Sequence, residues 1–316
     1  MKIAVMGAGG IGGYVGGRLA ESGHEVHFVA RGRHLEALQS GGLHIESPHG
    51  DVALADINAT SDPAAIGIAD LILFTVKMAD SDAAAEALAP LIGAQTRIVT
   101  LQNGIDSKDI IGRHVDRDRV ACGIIYLAAY IKRPGLIFNP GGIHRMVVDR
   151  LAGDPVMQQF FAACDQARGI IAEPTDQPDH TLWGKFIALV AFSGVTCLTR
   201  LPIGAVYEHP EILAFMRQLL TENVQIAQRM GLDFDNAHAD RTVALFADQP
   251  YQQKSSMLVD LEAGKPLELR WLSGRIHGLG RELGIPTPAN SAVWAALVAY
   301  ADGPPAPGDA GPVRQN

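Results

Sequence analysis

Lys185 stands near the start of the stretch LWGKFIALVAFSGVTCLTR (Leu182–Arg200), which is mostly apolar and contains no acidic residue. An ammonium in such company is either a surface group whose stem runs past a buried helix or a charge placed for chemistry. In the second case partial burial lowers its pKa toward the operating range and makes it a proton donor. If the stretch is one helix, Lys185, Leu189, Phe192, Thr196 and Thr199 share a face, Ser193 lies on its flank, and Arg200 ends it as a cation suited to the dipole. A second chemical signature opens the chain. KIAVMGAGGIGGYVGGRLAESG carries G-x-G-x-x-G at Gly7, Gly9 and Gly12, after a strand-like run and before a helical one. Gly7 permits the tight turn, Gly9 lets the backbone approach a pyrophosphate, and Gly12 lets helix and strand pack closely. With Ala8, Gly10 and Ile11 they form a loop whose helix end offers N–H groups to that anion. Gly13, Gly16 and Gly17 are read as packing glycines.

The second strand-like run ends in FVARGRH. A dinucleotide unit that prefers NAD places Asp or Glu about 20 residues past the glycines, on the ribose 2′-hydroxyl. Here Ala30 and Arg31 occupy that place, with Arg33 close behind. A guanidinium matches a 2′-phosphate, and a missing carboxylate removes repulsion, so the expected cofactor is NADP(H). Lys77 directly follows the run LILFTV and Asn103 directly follows RIVTLQ. Ligands of open α/β sheets bind at such strand ends, although Asn103-Gly104 reads equally as a turn and Lys77 as a surface residue.

These groups need a scaffold. Lys2–Gly7, Glu25–Ala30, Leu71–Val76 and Arg97–Gln102 are nearly unbroken apolar, β-rich runs, as strands buried on both faces of a parallel sheet are. Helical patterns at Gly10–Ser22 and Asp80–Leu91 lie between them, and Val120–Asp149 contains further strands. Beyond the connector PTDQPDH the segments read as helix: His180–Thr199, Pro210–Met230, Asp235–Ala247, Ser255–Ala263, Glu268–Leu283 and Ala289–Tyr300. The expected fold is an α/β N-terminal Rossmann-type domain with a parallel sheet (1–174), an all-α C-terminal domain (175–301) and a Pro/Gly-rich disordered tail (302–316).

Composition excludes several classes. Acidic residues outnumber basic ones, 34 to 26, with no Lys/Arg-rich run, so nucleic acid and anionic membranes have no electrostatic support as partners. Cys122, Cys164 and Cys197 are isolated, which fits buried thiols in a reducing compartment and neither disulfides nor zinc. His180, His209 and His238 lack ligand spacing, and no metal is expected. No secretory leader is read at the N-terminus, no apolar run is long enough to span a bilayer, and the expected location is cytoplasmic. An apolar face on the helical half would make a homodimer.

GAGGIGGYVGGRLAESGHEVHFVARGRHLEAL, TVK, LQNG, LWGKF and SSMLVDLEAGKPLE, in this order, resemble the ketopantoate reductase family from Lys2 to about Tyr300. The resemblance implies NADPH-dependent reduction of 2-dehydropantoate to (R)-pantoate, with a small 2-oxo acid held between a Rossmann domain and a helical domain. It implies that Lys77 and Asn103 line the cofactor and substrate, that Lys185 is the general acid, that Ser256 holds the substrate carboxylate, and that Glu268 hydrogen-bonds the substrate. Leu189, Ser193 and Ile203 stand where familiar members keep asparagines, and Asn139 stands where the family has a histidine. Of these replacements Ser193 alone of the first three can still bond a substrate. The alternative is therefore the same chemistry on a more apolar 2-oxo acid. A third reading, a non-catalytic NADP-binding sensor, has no use for a retained Lys185 and Glu268.

Overall fold

A computed structural model describes residues 1–305; positions 306–316 of the expected tail lie outside the described residues. The chain forms two compact units, Met1–Leu182 and a second beginning at Trp183. The division falls inside the helix Pro178–Thr199, a few residues past the last strand.

The first unit contains twelve strands: β1 (Lys2–Met6), β2 (Glu25–Val29), β3 (Leu43–Glu46), β4 (Val52–Leu54), β5 (Asn58–Thr60), β6 (Leu71–Phe74), β7 (Arg97–Thr100), β8 (Val120–Ile125), β9 (Tyr130–Arg133), β10 (Leu136–Phe138), β11 (Arg145–Asp149) and β12 (Ile171–Thr175). Eight make one sheet in the order β12-β11-β8-β7-β6-β1-β2-β5. From β8 to β5 every pairing is parallel, with Ile3 opposite both Val26 and Leu71. Ile3, Val5, Leu71, Leu73 and Val99 pack into a core on one face and Ala4, Met6, Ile72, Phe74 and Ile98 into another on the opposite face, which is why these runs carry no polar alternation.

Two features depart from the expected sheet. β11 is antiparallel to β8, because the chain between them makes the short strands β9 and β10 and no crossover helix. A second sheet, β4-β3-β10-β9, packs on the helix Gly10–Glu21 through Leu43, Ile45 and Ile137. The expected helix over Asp80–Leu91 is also broken into a 3-10 turn (Met78–Asp80), a short helix (Ser81–Glu86) and another 3-10 turn (Ala89–Leu91). Pro90 has no N–H to continue the ladder and disfavours helical backbone at the residue before it.

The second unit is helical. It comprises the continuation of Pro178–Thr199, then Ile203–Tyr207, Pro210–Arg229, His238–Ala247, Ser256–Glu262, Ser273–Leu283 and Pro288–Leu297. The first of these is long and apolar enough to cross a membrane, but 56% of its apolar window is buried inside the protein, as in a core helix. Ile203–Tyr207 was not legible as a helix. The single helix expected over Glu268–Leu283 is instead a 3-10 turn, Glu268–Trp271, a break at Leu272 (φ −111°, ψ −107°) and a helix from Ser273. The break brings Gly274 against the Leu269 carbonyl and the Trp294 ring, where a Cβ would come within 2.9 Å of either. The three cysteines are free and buried.

A buried polar knot ties three of these helices. The Glu222 carboxylate accepts the backbone amides of Ala289 (2.7 Å) and Asn290 (3.0 Å), capping the helix Pro288–Leu297 from a neighbouring helix. Asn290 Nδ2 donates to Glu222 and to Asn223 Oδ1, and Asn223 Nδ2 donates to the Ile187 carbonyl, two residues past Lys185. Glu222→Ala would leave the buried Ala289 and Asn290 amides without an acceptor. We expect a loss of about 3 kcal/mol in the unfolding of the helical unit, read by urea titration; an unchanged midpoint would show that the cap contributes nothing.

Candidate functional site

In the first unit the tight turn after β1 is left-handed at Gly7 (φ +101°), a backbone that side chains rarely adopt. The Gly7 and Ala8 amides both donate to the Val29 carbonyl (3.2 and 2.9 Å), and the Gly9 amide to Gly7 (2.7 Å), so the loop holds its own shape. The amides open to a ligand are those of Gly10, Ile11 and Gly12, which begin the helix and have no carbonyl four residues back. A Cβ at Gly9 would meet nothing within 4 Å, whereas at Gly12 it would lie 2.3 Å from both the Gly7 carbonyl and Thr75 Oγ1. Open space beside Gly9 and the first amides of a 12-residue helix, at its positive end, fit a pyrophosphate. Gly13, Gly16 and Gly17 are packing positions, against Ile137, Phe28 with Val5, and Ile45 with Leu43.

The parallel order β7-β6-β1-β2 places Asn103, Lys77, the glycine loop and Arg31 on one carboxyl edge. Arg31 is exposed and precedes the helix Gly32–Gly41, with no carboxylate in the place an NAD site reserves for one. Lys77 is exposed and Asn103 is half-buried; Gly104 turns the chain after it with φ +94°.

Three residues that hold this edge were not singled out in the sequence. Thr75 Oγ1 donates to the Gly7 carbonyl (2.7 Å), closing the glycine loop from β6. The buried Gln102 donates to the Val76 carbonyl (2.9 Å) and Ser81 Oγ (2.7 Å) and accepts from Thr100 (3.1 Å), so it joins the backbone beside Lys77 to that beside Asn103. His34 accepts the Gly135 amide at Nδ1 (3.2 Å), and burial holds its pKa below the usual imidazole value, opposed by the Ala8 backbone. A polar residue immediately flanking a strand end is the signal that would have found Gln102.

In the second unit Lys185 is half-buried. Its side chain keeps some solvent contact, yet enough protein surrounds it that burial pushes its ammonium down to about 8, with the Glu268 carboxylate acting in the opposite sense. The two are thus electrostatically coupled, Lys185 on the long helix and Glu268 at the start of its 3-10 turn. The helix face that carries Lys185 does not stay open along its length. Leu189 is half-buried, but Ser193 and Thr196 are fully buried, and Ile203 is buried as the first residue of its helix. Ser193 Oγ has no hydrogen-bond partner among the described residues.

Ser256 is exposed as the first residue of its helix. Its neighbour Ser255 is the buried cap: its hydroxyl accepts the Leu258 amide (3.1 Å) and pairs with Thr196 Oγ1 (2.7 Å), joining the Ser256 helix to the Lys185 helix.

A Rossmann-type α/β unit followed by a helical unit with a lysine of lowered pKa beside a glutamate is the build of a two-domain oxidoreductase. Residues 3–153 match the family model described as "Ketopantoate reductase PanE/ApbA", and residues 178–301 match its C-terminal counterpart. The chain belongs to the ketopantoate reductase family, whose members are NAD(P)-dependent oxidoreductases acting on CH–OH groups. Among its relatives is a 2-dehydropantoate 2-reductase of Archaeoglobus fulgidus, 30% identical over 92% of this chain and 94% of the other. Another, from Mesorhizobium japonicum, is 29% identical over 94% and 97%. The crystal structure of a PanE/ApbA family ketopantoate reductase from Ralstonia eutropha is similar with a TM-score of 0.87 and 32% identity, over 95% of this chain and 98% of that one.

If Lys185 donates the proton, it must hold it to act, and reduction should fall as pH rises through about 8. Glu268→Gln removes the charge that favours the ammonium and should move this limb to lower pH. A limb that stays put in Glu268→Gln, or that appears only above about pH 10 where an ordinary lysine titrates, would contradict the coupling.

Proposed function

We propose that the protein reduces 2-dehydropantoate to (R)-pantoate with NADPH, a step of pantothenate biosynthesis, with residues 1–174 binding the dinucleotide and 175–301 supplying the proton. The observation that carries this reading is Lys185, a lysine brought near neutrality by burial and coupled to Glu268, in a chain whose curated relatives include 2-dehydropantoate 2-reductases.

A nicotinamide held there would supply the hydride for the carbonyl carbon. The chain does the rest. Gly10, Ile11 and Gly12 bind the pyrophosphate through their amides, and Arg31 binds the ribose 2′-phosphate. Lys77 and Asn103, set by Gln102, line the carboxyl edge. The Lys185 ammonium polarises the substrate carbonyl oxygen and then gives it a proton, so the developing alkoxide never stands uncompensated. Glu268 keeps that ammonium charged and accepts a hydrogen bond from substrate hydroxyl, while Ser256 donates to the substrate carboxylate.

One observation favours a second reading, the same chemistry on a more apolar 2-oxo acid. Of Leu189, Ser193 and Ile203, only Leu189 keeps solvent contact, and it lies one helical turn from Lys185. An apolar side chain there cannot replace an asparagine's hydrogen bonds, and discrimination for a hydroxylated acid would drop accordingly.

Steady-state assays with NADPH and a panel of 2-oxo acids decide between the readings. We expect the largest kcat/KM with 2-dehydropantoate; a higher value with an apolar acid would replace that substrate. Arg31→Asp should shift preference from NADPH toward NADH by about tenfold or more, and an unchanged ratio would remove Arg31 from the 2′-phosphate site.

A further inference from the structure

Asn139, which the sequence marks only as a departure from the family, is fully buried and makes three hydrogen bonds. Its backbone amide donates to the Glu46 carbonyl (2.9 Å), continuing the β3–β10 ladder by one residue. Its Oδ1 accepts from Ser47 Oγ (2.8 Å), and its Nδ2 donates to the Ala128 carbonyl (2.7 Å). The first two bonds anchor the side chain in the small sheet. The third reaches out to the segment Tyr126–Ala129, which has no regular structure and joins β8 of the large sheet to β9 of the small one.

That segment lies against the glycine loop. A Cβ built on Gly10 would be 2.1 Å from the Ala129 carbonyl oxygen and 2.7 Å from Tyr130 Cα. The chain leaves β8 at the carboxyl edge and arrives over the helix that follows β1, three positions away in the order β8-β7-β6-β1. Four extended residues reach about 14 Å, about three strand spacings, so the bridge has almost no slack. It therefore runs along the edge that carries Asn103 and Lys77 and ends beside an amide of the anion seat. Tyr126, Leu127 and Ala129 pack on neighbouring apolar residues, and the Tyr126 amide donates to the Arg145 carbonyl (2.8 Å); Ala128 between them is exposed, and its carbonyl is held by Asn139.

We propose that Asn139 is a positioning residue for the dinucleotide site, holding the Ala128 carbonyl so that the 126–130 bridge forms a fixed wall beside the helix start at Gly10. The proposal rests on the reading of the glycine loop as a dinucleotide seat. Without the Nδ2 donor the bridge gains freedom at the place where Ala129 and Tyr130 leave no room over Gly10, and the seat is no longer preformed. Ordering it then costs binding affinity.

Asn139→Asp keeps the side chain's shape and removes the donor to Ala128. Titrated by fluorescence without oxo acid, it should bind NADPH about tenfold more weakly than wild type. Amide hydrogen exchange should quicken at Leu127–Tyr130 and not elsewhere on the carboxyl edge, and KM for NADPH should rise while KM for the oxo acid holds. Ser47→Ala leaves Asn139 in place but frees its Oδ1, and a loss of about threefold is expected; it carries the test alone if Asn139→Asp does not fold. A folded variant with wild-type affinity overturns the proposal, as does weakened binding with unchanged exchange at 127–130. Wild type is titrated first: if it binds neither NADPH nor NADH, the seat itself is misread and both readings fall, whereas binding by wild type and equally by the variants refutes only the role of Asn139.

Discussion

The helix Gly10–Glu21 lies closer to its surroundings than a helix with side chains on those faces can. A Cβ at Gly12 or Gly16 would strike the large sheet, at Gly13 or Gly17 the small sheet, and at Gly10 the backbone of Ala129 and Tyr130. This approach seats the first helix between both sheets and points its amino end at the open space before Gly9. Thr75 locks the loop from β6, and the Gly7 and Ala8 amides lock it to β2. The interior must be filled to crystal-like density, so a methyl group added at any of these positions would push apart elements that the carboxyl edge needs in register. In the proposed reading, the seat for a dinucleotide is set by the packing of this helix.

The second unit is organised around a different cost. A lysine surrounded by protein loses hydration, and its charged form is disfavoured. Glu268 offsets part of that loss, and the Lys185 ammonium is pushed down to about 8. Holding such a group in one place takes support from apolar and polar neighbours alike. Asn223 grips the carbonyl of Ile187 just beyond it, and Thr196 with Ser255 binds the same helix to the one that starts at Ser256. Further along, Ser193 on the same helix and Ile203 at the start of the next are buried.

What could be read from the sequence depended on burial. Strands covered on both faces leave unbroken apolar runs, so β1, β2, β6 and β7 were legible, and the glycine spacing placed the loop between them. The small sheet was not, because its strands have only three or four residues and β9 is exposed throughout. Ser256 was singled out by resemblance, while the hydroxyl that caps the helix belongs to Ser255; two adjacent serines differ only in which precedes the first helical residue. Thr75 and Gln102 escaped notice because threonine in a strand reads as a β-former and glutamine as filler. Glu268 read as an acid in the first turn of a long helix. The break at Leu272 makes it instead part of a short 3-10 turn, and its carboxylate favours the Lys185 ammonium.

The account turns on Lys185 as proton donor, and Lys185→Ala tests it most directly, with single-turnover reduction and NADPH titration on the same preparation. The account predicts that the reduction rate falls by about 10²-fold or more while NADPH affinity stays within about twofold. A reduction rate equal to wild type with the cofactor bound as before would contradict it.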